Sequence, residues 1–377
     1  MRTVVGACSA TVATQTATKR ASGLSEKETR MSVGVSSGAD LMRAWVLARQ
    51  LPIGERPLEF TELPIPQPGE REIRVRVTVC GICRTDLHIA EGDLEAGKDR
   101  LVLGHEIVGV VDQVGTAVTR VRIGDKVGVS WLGRTCGRCK HCRCGRENYC
   151  ADFLATGRDL DGGFAEYMVA HEGAVFPLEG IGLRDERIAP LMCAGVAGYC
   201  ALRLASLEEG ERIGLYGFGP TAYYVLKAAR QLGLEVYVSS RSEENLRRAR
   251  SHGAVWAGDA AEQQLPVELN AAVVFPPAGH LVETALRQVG VGGVVVLAPV
   301  AMSRIEIEDY SSHFWGRDIR TLYNVNRRDA EEFVRLAREL DLSLGTEVFP
   351  LVACQEAMIR VRRGELREPN AVIRVQE

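Results

Sequence analysis

The sequence predicts an α/β protein that joins a doubly wound parallel sheet to a β-rich, barrel-like unit, and three observations carry this expectation. From Arg43 to about Val129, short apolar runs are punctuated by Gly and Pro. After about Pro190, strand-like and helix-like segments alternate instead. Between the two lies a Gly- and Arg-rich loop with four closely spaced cysteines and few apolar residues of its own. At 377 residues, the chain has room for roughly two domains of about 150 residues each.

In the first unit, 44–47, 73–79 and 107–111 read as strands, because each is short, β-rich and bounded by turn residues. In the second, 213–217, 236–240, 272–275, 294–297 and 319–323 read as strands, and 221–232, 242–251 and 280–289 as helices. That alternation predicts a parallel sheet covered by helices on both faces. The last stretch opens with a helix at 329–340 and ends in a strand at 371–375. It is expected to return to the first unit, which gives a β-rich domain of 41–194 and 328–377 with a metal lobe at about 134–151. The parallel-sheet domain, 195–327, is inserted in it. There is no internal repeat.

Residues 1–40 lack the continuous apolar run of a secretory signal and are rich in Thr, Ala and Ser, with no acid before Glu26. They read as a disordered or non-native extension, with Met42 as an alternative start. Hydrophobic residues make up 46% and charged residues 25% of the chain, which excludes wholesale disorder and fibrous classes. A net charge of −3 offers no footprint for nucleic acid or an anionic membrane, and a small uncharged partner fits better. No run approaches the roughly 20 apolar residues of a membrane span. The 11 cysteines are odd in number, and six lie between Cys136 and Cys193. Such spacing suits a metal better than disulfides and implies a reducing compartment, read as the cytoplasm.

Cys136, Cys139, Cys142 and Cys150 form a C-x2-C-x2-C-x7-C series. Four thiolates at that spacing wrap tetrahedrally around one zinc, and with every position filled the site is structural. An iron–sulfur cluster would want a cysteine where Arg146 stands. Arg134, Arg138, Lys140, Arg143 and Arg146 raise a non-enzymatic reading, a zinc-bearing nucleic-acid or redox-sensing protein. A solvated cationic surface that offsets the thiolates accounts for them better.

Cys83 in CGICRTDLH, His105 in LGHE and Cys193 in PLMCAGVAGY form a second set. Two thiolates and an imidazole leave zinc a fourth position for water or substrate, which is the catalytic pattern. Taken singly, the cysteines read as buried small hydrophobes and the histidine as a core residue. Their neighbours argue for a metal: Asp86 suits the far ring nitrogen of His105, and Thr85 places a hydroxyl two residues after a ligand.

The run GFGPTA at 217–222 follows a strand and opens a helix, so its amides and the helix dipole can meet a pyrophosphate at Gly217, Gly219 and Ala222. Dinucleotide binding is the expectation. About 20 residues on, where an acid would hold the ribose of NAD, the chain offers Ser239, Ser240 and Arg241. Two hydroxyls and a guanidinium suit a phosphate, which favours NADP over NAD.

Taken together, these motifs resemble the zinc-dependent alcohol dehydrogenases of the medium-chain dehydrogenase/reductase superfamily, over about residues 43–377. The resemblance implies a Rossmann-type domain beside a GroES-like catalytic domain, two zinc ions per chain, and a homodimer or homotetramer. It implies reversible oxidation of an alcohol to an aldehyde or ketone, with Cys83, His105 and Cys193 on the catalytic zinc and Glu106 as the acid that approaches it during ligand exchange. Thr85 and His88 match the family's proton relay. Trp131 is similar to the pocket tryptophan of enzymes acting on small primary alcohols. Its bulk weighs against a polyol or other secondary alcohol, which is the alternative substrate class. One departure stands out: where many relatives carry an Arg that contacts the pyrophosphate, this chain has Asn370.

Overall fold

Strand Glu72–Ile82 is the hub of the first sheet. Its sequence alternates β-branched and charged residues, so Ile73, Val75 and Val77 are buried while Arg74 and Arg76 stay partly exposed. It pairs antiparallel with Glu106–Val114, Tyr167–His171 and Asn370–Arg374. The computed structural model describes residues 40–342 and 344–376, so the expected extension, all but Asp40, lies outside the described residues.

The hub belongs to a seven-stranded sheet. Glu106–Val114 continues to Lys126–Val129 and Val175–Pro177 on one side, and Asn370–Arg374 is followed by Thr346–Pro350 on the other. The carboxyl-terminal strand thus completes a sheet begun some 300 residues earlier. Leu41–Leu47 belongs to a separate three-stranded sheet with Leu58–Pro64 and Leu101–Val102.

The second sheet has six parallel strands in the order Trp256–Gly258, Glu235–Ser239, Arg212–Tyr216, Leu269–Val274, Val289–Leu297, Asp318–Thr321. Chain order reverses between Arg212–Tyr216 and Leu269–Val274, which marks the switch point where a ligand binds at the carboxyl ends of such strands. Successive residues alternate between two cores. Ile213, Val238 and Val273 pack with helices Ala194–Ala205 and Pro220–Gln231, whereas Tyr216, Tyr237 and Val274 pack with helix His280–Gln288. Both faces are therefore covered. No single helix among the described residues is long and apolar enough to cross a membrane.

Several element bounds differ from expectation: the strands expected at 272–275 and 294–297 begin earlier, as Leu269–Val274 and Val289–Leu297, and two further shifts have a visible cause. The helix expected at 329–340 is Arg327–Leu336: Asn326 Oδ1 accepts from Asp329 N at 2.8 Å and sets an earlier start. A turn after Leu336 then lets Leu342 reach the core. The strand expected at 319–323 is Asp318–Thr321, because the chain leaves the sheet toward Asn324, whose φ is +53°.

Candidate active site

Two helices that the sequence pattern did not announce position the proposed catalytic thiols. Cys83 is the N-cap of helix Arg84–Glu91, and Cys193 is the N-cap of helix Ala194–Ala205. The Cys83 sulfur accepts from an amide of its helix's first turn and faces the positive end of the helix dipole, which favours thiolate, whereas Cys193 makes no such side-chain cap bond. The Thr85 N–H points to Cys83 Sγ at 3.5 Å, and Cys83 Sγ in turn lies 3.6 Å from Thr85 Oγ1, which accepts from it.

Cys83, His105, Glu106 and Cys193 each offer one donor atom, and these atoms lie within 4.8 Å of one another. The two sulfurs are 3.7 Å apart. Zinc–sulfur bonds of about 2.3 Å put the corners of a tetrahedron about 3.8 Å apart, so this spacing fits a shared zinc and excludes a disulfide, whose sulfurs are about 2 Å apart. His105 Nδ1 lies 3.1 Å from Asp86 Oδ1, which leaves Nε2 for a metal. Asp86 Oδ1 also accepts from Gly104 N at 3.2 Å, and Oδ2 from Cys83 N at 2.8 Å, so one carboxylate orders both neighbouring ligands.

The hydrogen bond from Cys193 pulls Cys83 well below the usual thiol range, and the same bond pushes Cys193 up. Burial opposes charge on His105, but Asp86 and Cys83 outweigh it and hold the imidazole well above its ordinary value. Burial raises Glu106 well above the usual carboxyl range, with the Cys83 thiolate adding to the shift. The cluster concentrates negative charge that a cation would neutralise.

Glu106 sits opposite Gly81 in the strand register. A Cβ on Gly81 would lie 2.0 Å from Glu106 Oε2, so only glycine leaves room for the carboxyl. Thr85 and His88 are three residues apart on one face of their helix. No hydrogen bond joins them among the described residues. His88 is exposed and pairs through Nδ1 with Asp93 Oδ2 at 2.9 Å. The Trp131 ring stands edge-on to His105, with centroids 5.1 Å apart.

In the lobe, Cys136 Sγ lies 3.6 Å from Cys150 and 3.9 Å from Cys142, and Cys139 lies 3.5 Å from Cys142. These are again the edges of a zinc–thiolate tetrahedron. Backbone N–H groups of Arg138 and Cys139 bring Cys136 down to about 6.

The nucleotide turn follows Arg212–Tyr216. Gly217 has φ +85°, and a Cβ there would meet Pro276 at 2.8 Å. Gly219 caps helix Pro220–Gln231 with open space on its Cβ side, where a pyrophosphate can approach the backbone. Ala222 is buried against the sheet. Ser240 and Arg241 line a cavity of about 340 Å³ beyond the second strand, together with Arg250, Glu243, Asp259 and Glu262. Arg250 is held by Glu243 and by the Ala257 carbonyl, whereas exposed Arg241 has no ion-pair partner among the described residues. The buried Ser239 Oγ accepts from Ala260 N at 3.0 Å, which ties two strand ends together and leaves its O–H as a donor.

Several site residues escaped the sequence reading. Of the acids of that cavity, Glu243 follows the strand end closely, whereas Asp259 and Glu262 come from beyond the neighbouring strand. Gly81 carried a signal, as a glycine within a strand. Asn370 is buried and donates to the Gly345 carbonyl at 3.2 Å, and the buried Tyr224 hydroxyl bonds to it, a neighbour nothing in the spacing announces.

Comparison with known proteins gives concordant results. The family profile described as alcohol dehydrogenase GroES-like domain matches residues 69–180. The chain is 38% identical over 331 residues to a probable alcohol dehydrogenase of Mycobacterium tuberculosis, covering 86% of this chain and 95% of the relative. It is 32% identical over 320 residues to an alcohol dehydrogenase of Geobacillus stearothermophilus, covering 83% and 95%. A solved cinnamyl alcohol dehydrogenase of Sorghum bicolor superposes with a TM-score of 0.78 at 26% identity, over 89% of this chain and 98% of that one. With the parallel nucleotide sheet and the GroES-like unit both present, the chain belongs to the zinc-type medium-chain alcohol dehydrogenases and is an NAD(P)-dependent oxidoreductase.

Proposed function

We propose that the chain reversibly oxidises a small primary alcohol to its aldehyde, using NADP in preference to NAD. The observation that carries this reading is the incomplete donor set of Cys83, His105 and Cys193, gathered with Glu106 within 4.8 Å and ordered by Asp86. Those three residues would hold one zinc, and Cys136, Cys139, Cys142 and Cys150 a second. When bound, zinc supplies Lewis acidity that favours loss of the hydroxyl proton, and the nicotinamide supplies a hydride acceptor.

The chain's own residues do the rest. Asp86 fixes the His105 tautomer, and the helix N-terminus behind Cys83 favours that sulfur as a thiolate. Thr85 Oγ1, beside Cys83, would accept a hydrogen bond from the alcohol and give up its own hydroxyl proton as it takes the substrate's, and exposed His88 on the same helix face is the base that would hand a proton to solvent. Glu106 keeps a carboxyl oxygen in reserve for ligand exchange. Trp131 narrows the pocket, which disfavours a polyol or bulky secondary alcohol. Gly217, Gly219 and Ala222 seat the pyrophosphate, and Ser240 with the unpaired Arg241 takes a ribose phosphate.

Assembly into dimers or tetramers belongs to the proposal. Asp318–Thr321 is a sheet edge, with Val291 and Trp315 exposed beside it. Thiolate zinc sites also need a reducing compartment such as the cytoplasm. A panel of ethanol, benzyl alcohol and sorbitol, each with NAD and NADP and each before and after chelation, tests the reading. Chelator-sensitive turnover, fastest with ethanol and NADP, is expected; sorbitol as the best substrate would transfer the assignment to polyols.

A further inference from the structure

Trp131 has a single polar atom, the indole N–H, and this donor is satisfied from the other sheet. Nε1 donates to Asn324 Oδ1 at 2.9 Å across 193 residues of sequence. Asn324 follows the last parallel strand and sits at φ +53°, a conformation that asparagine tolerates better than most side chains. Its Nδ2 donates to the Asn148 carbonyl at 3.4 Å, and Asn148 Nδ2 returns a bond to the Tyr323 carbonyl at 2.9 Å. Tyr149 stacks on Tyr323 with ring planes 5° apart, and Arg327 N donates to Glu147 Oε1 at 2.8 Å. The segment just before Cys150 is thus stitched to 323–327, with Asn324 at the junction.

We propose that Asn324 is a specificity-determining positioning residue: it fixes the indole of Trp131 beside the ligand His105 and so sets the width of the alcohol pocket. The inference rests on Trp131 lining that pocket. A half-buried indole without an acceptor has alternative rotamers, and each moves a large ring relative to His105. Asn324 supplies the acceptor from the nucleotide domain's last strand, while its amide N–H anchors it to the metal lobe. The width of the pocket is therefore shared between the two sheets.

The test uses the full zinc-loaded enzyme and reads the ratio of kcat/KM for benzyl alcohol to that for ethanol. Asn324→Gly keeps the backbone conformation and removes both hydrogen bonds; Asn324→Asp keeps an acceptor for the indole. The glycine variant should change the ratio by roughly threefold or more, mainly through KM, while the aspartate variant stays within about twofold of the parent. In a Trp131→Phe background, which lacks the donor, Asn324→Gly should add nothing. The indole N–H resonance of Trp131, assigned by its loss in Trp131→Phe, should move in Asn324→Gly and hold in Asn324→Asp. If Trp131→Ala shifts the ratio but Asn324→Gly does not, or shifts it equally in the Trp131→Phe background, the positioning role is refuted. If Trp131→Ala leaves the ratio unchanged, the pocket assignment falls and takes this inference with it.

Discussion

Asp86 Oδ1 lies 3.1 Å from His105 Nδ1, and the two side chains are 0% and 1% exposed. A buried carboxylate beside a buried imidazole is costly unless each satisfies the other, and here it also accepts two backbone N–H groups. The pair fixes which ring nitrogen is free. Asp86→Ala should weaken zinc binding at this site by about 10–100-fold, as loss of such an orienting partner does. Competition with a chromophoric chelator measures this; unchanged affinity would mean that His105 needs no orienting partner.

Gly81 and Glu106 make a steric prediction. Gly81→Ala places a Cβ 2.0 Å from Glu106 Oε2, inside a paired strand that cannot easily move. Overpacking of this kind should cost about 1–3 kcal/mol. Adding Glu106→Ala removes the carboxyl but keeps a Cβ 2.9 Å away, so it should recover only part of the loss and Glu106→Gly more, as read by denaturant unfolding of single and double variants.

Among the described residues, Arg241 has no ion-pair partner in the cavity it lines. Arg241→Ala should raise KM for NADP by about tenfold and leave KM for NAD nearly unchanged, since a charge-assisted phosphate contact contributes roughly 1.5–3 kcal/mol. Equal effects on both cofactors would remove the phosphate assignment.

Glu172 links pH to stability. Burial tends to raise its pKa, but the Thr119 and Arg120 amides and the Arg71 guanidinium overcome this and lower it. A depressed carboxyl contributes stability that is present above its unfolded value of about 4.3 and is lost as pH falls through the lower folded value. Glu172→Gln should cost about 1–3 kcal/mol near neutrality and flatten the acid limb below about pH 4. Melting temperature against pH for both proteins checks the sign.

What the sequence made legible follows from the range of the forces involved. The lobe cysteines are near neighbours in the chain, so spacing alone brings their sulfurs together. The turn at Gly217 lies between a strand and a helix that each announce themselves locally. Cys83, His105 and Cys193 span 110 residues, and residue chemistry together with resemblance suggested their grouping. The caps at Cys83 and Cys193 were not legible, because helix Arg84–Glu91 is short and polar and Ala194–Ala205 follows a proline-interrupted run. The bond from the Ala260 amide of the neighbouring strand end to the Ser239 hydroxyl was not legible, because it joins segments 21 residues apart. Asn324 gave no signal at all: its contact with Trp131 depends on how two sheets pack, which no local pattern encodes.

The most direct measurement is zinc content per chain, paired with turnover and cofactor binding, for the parent protein and Cys193→Ser. The account predicts two zinc ions in the parent. It predicts one in the variant, with alcohol oxidation abolished and NADP binding largely intact. A variant that keeps both ions and its activity would contradict it.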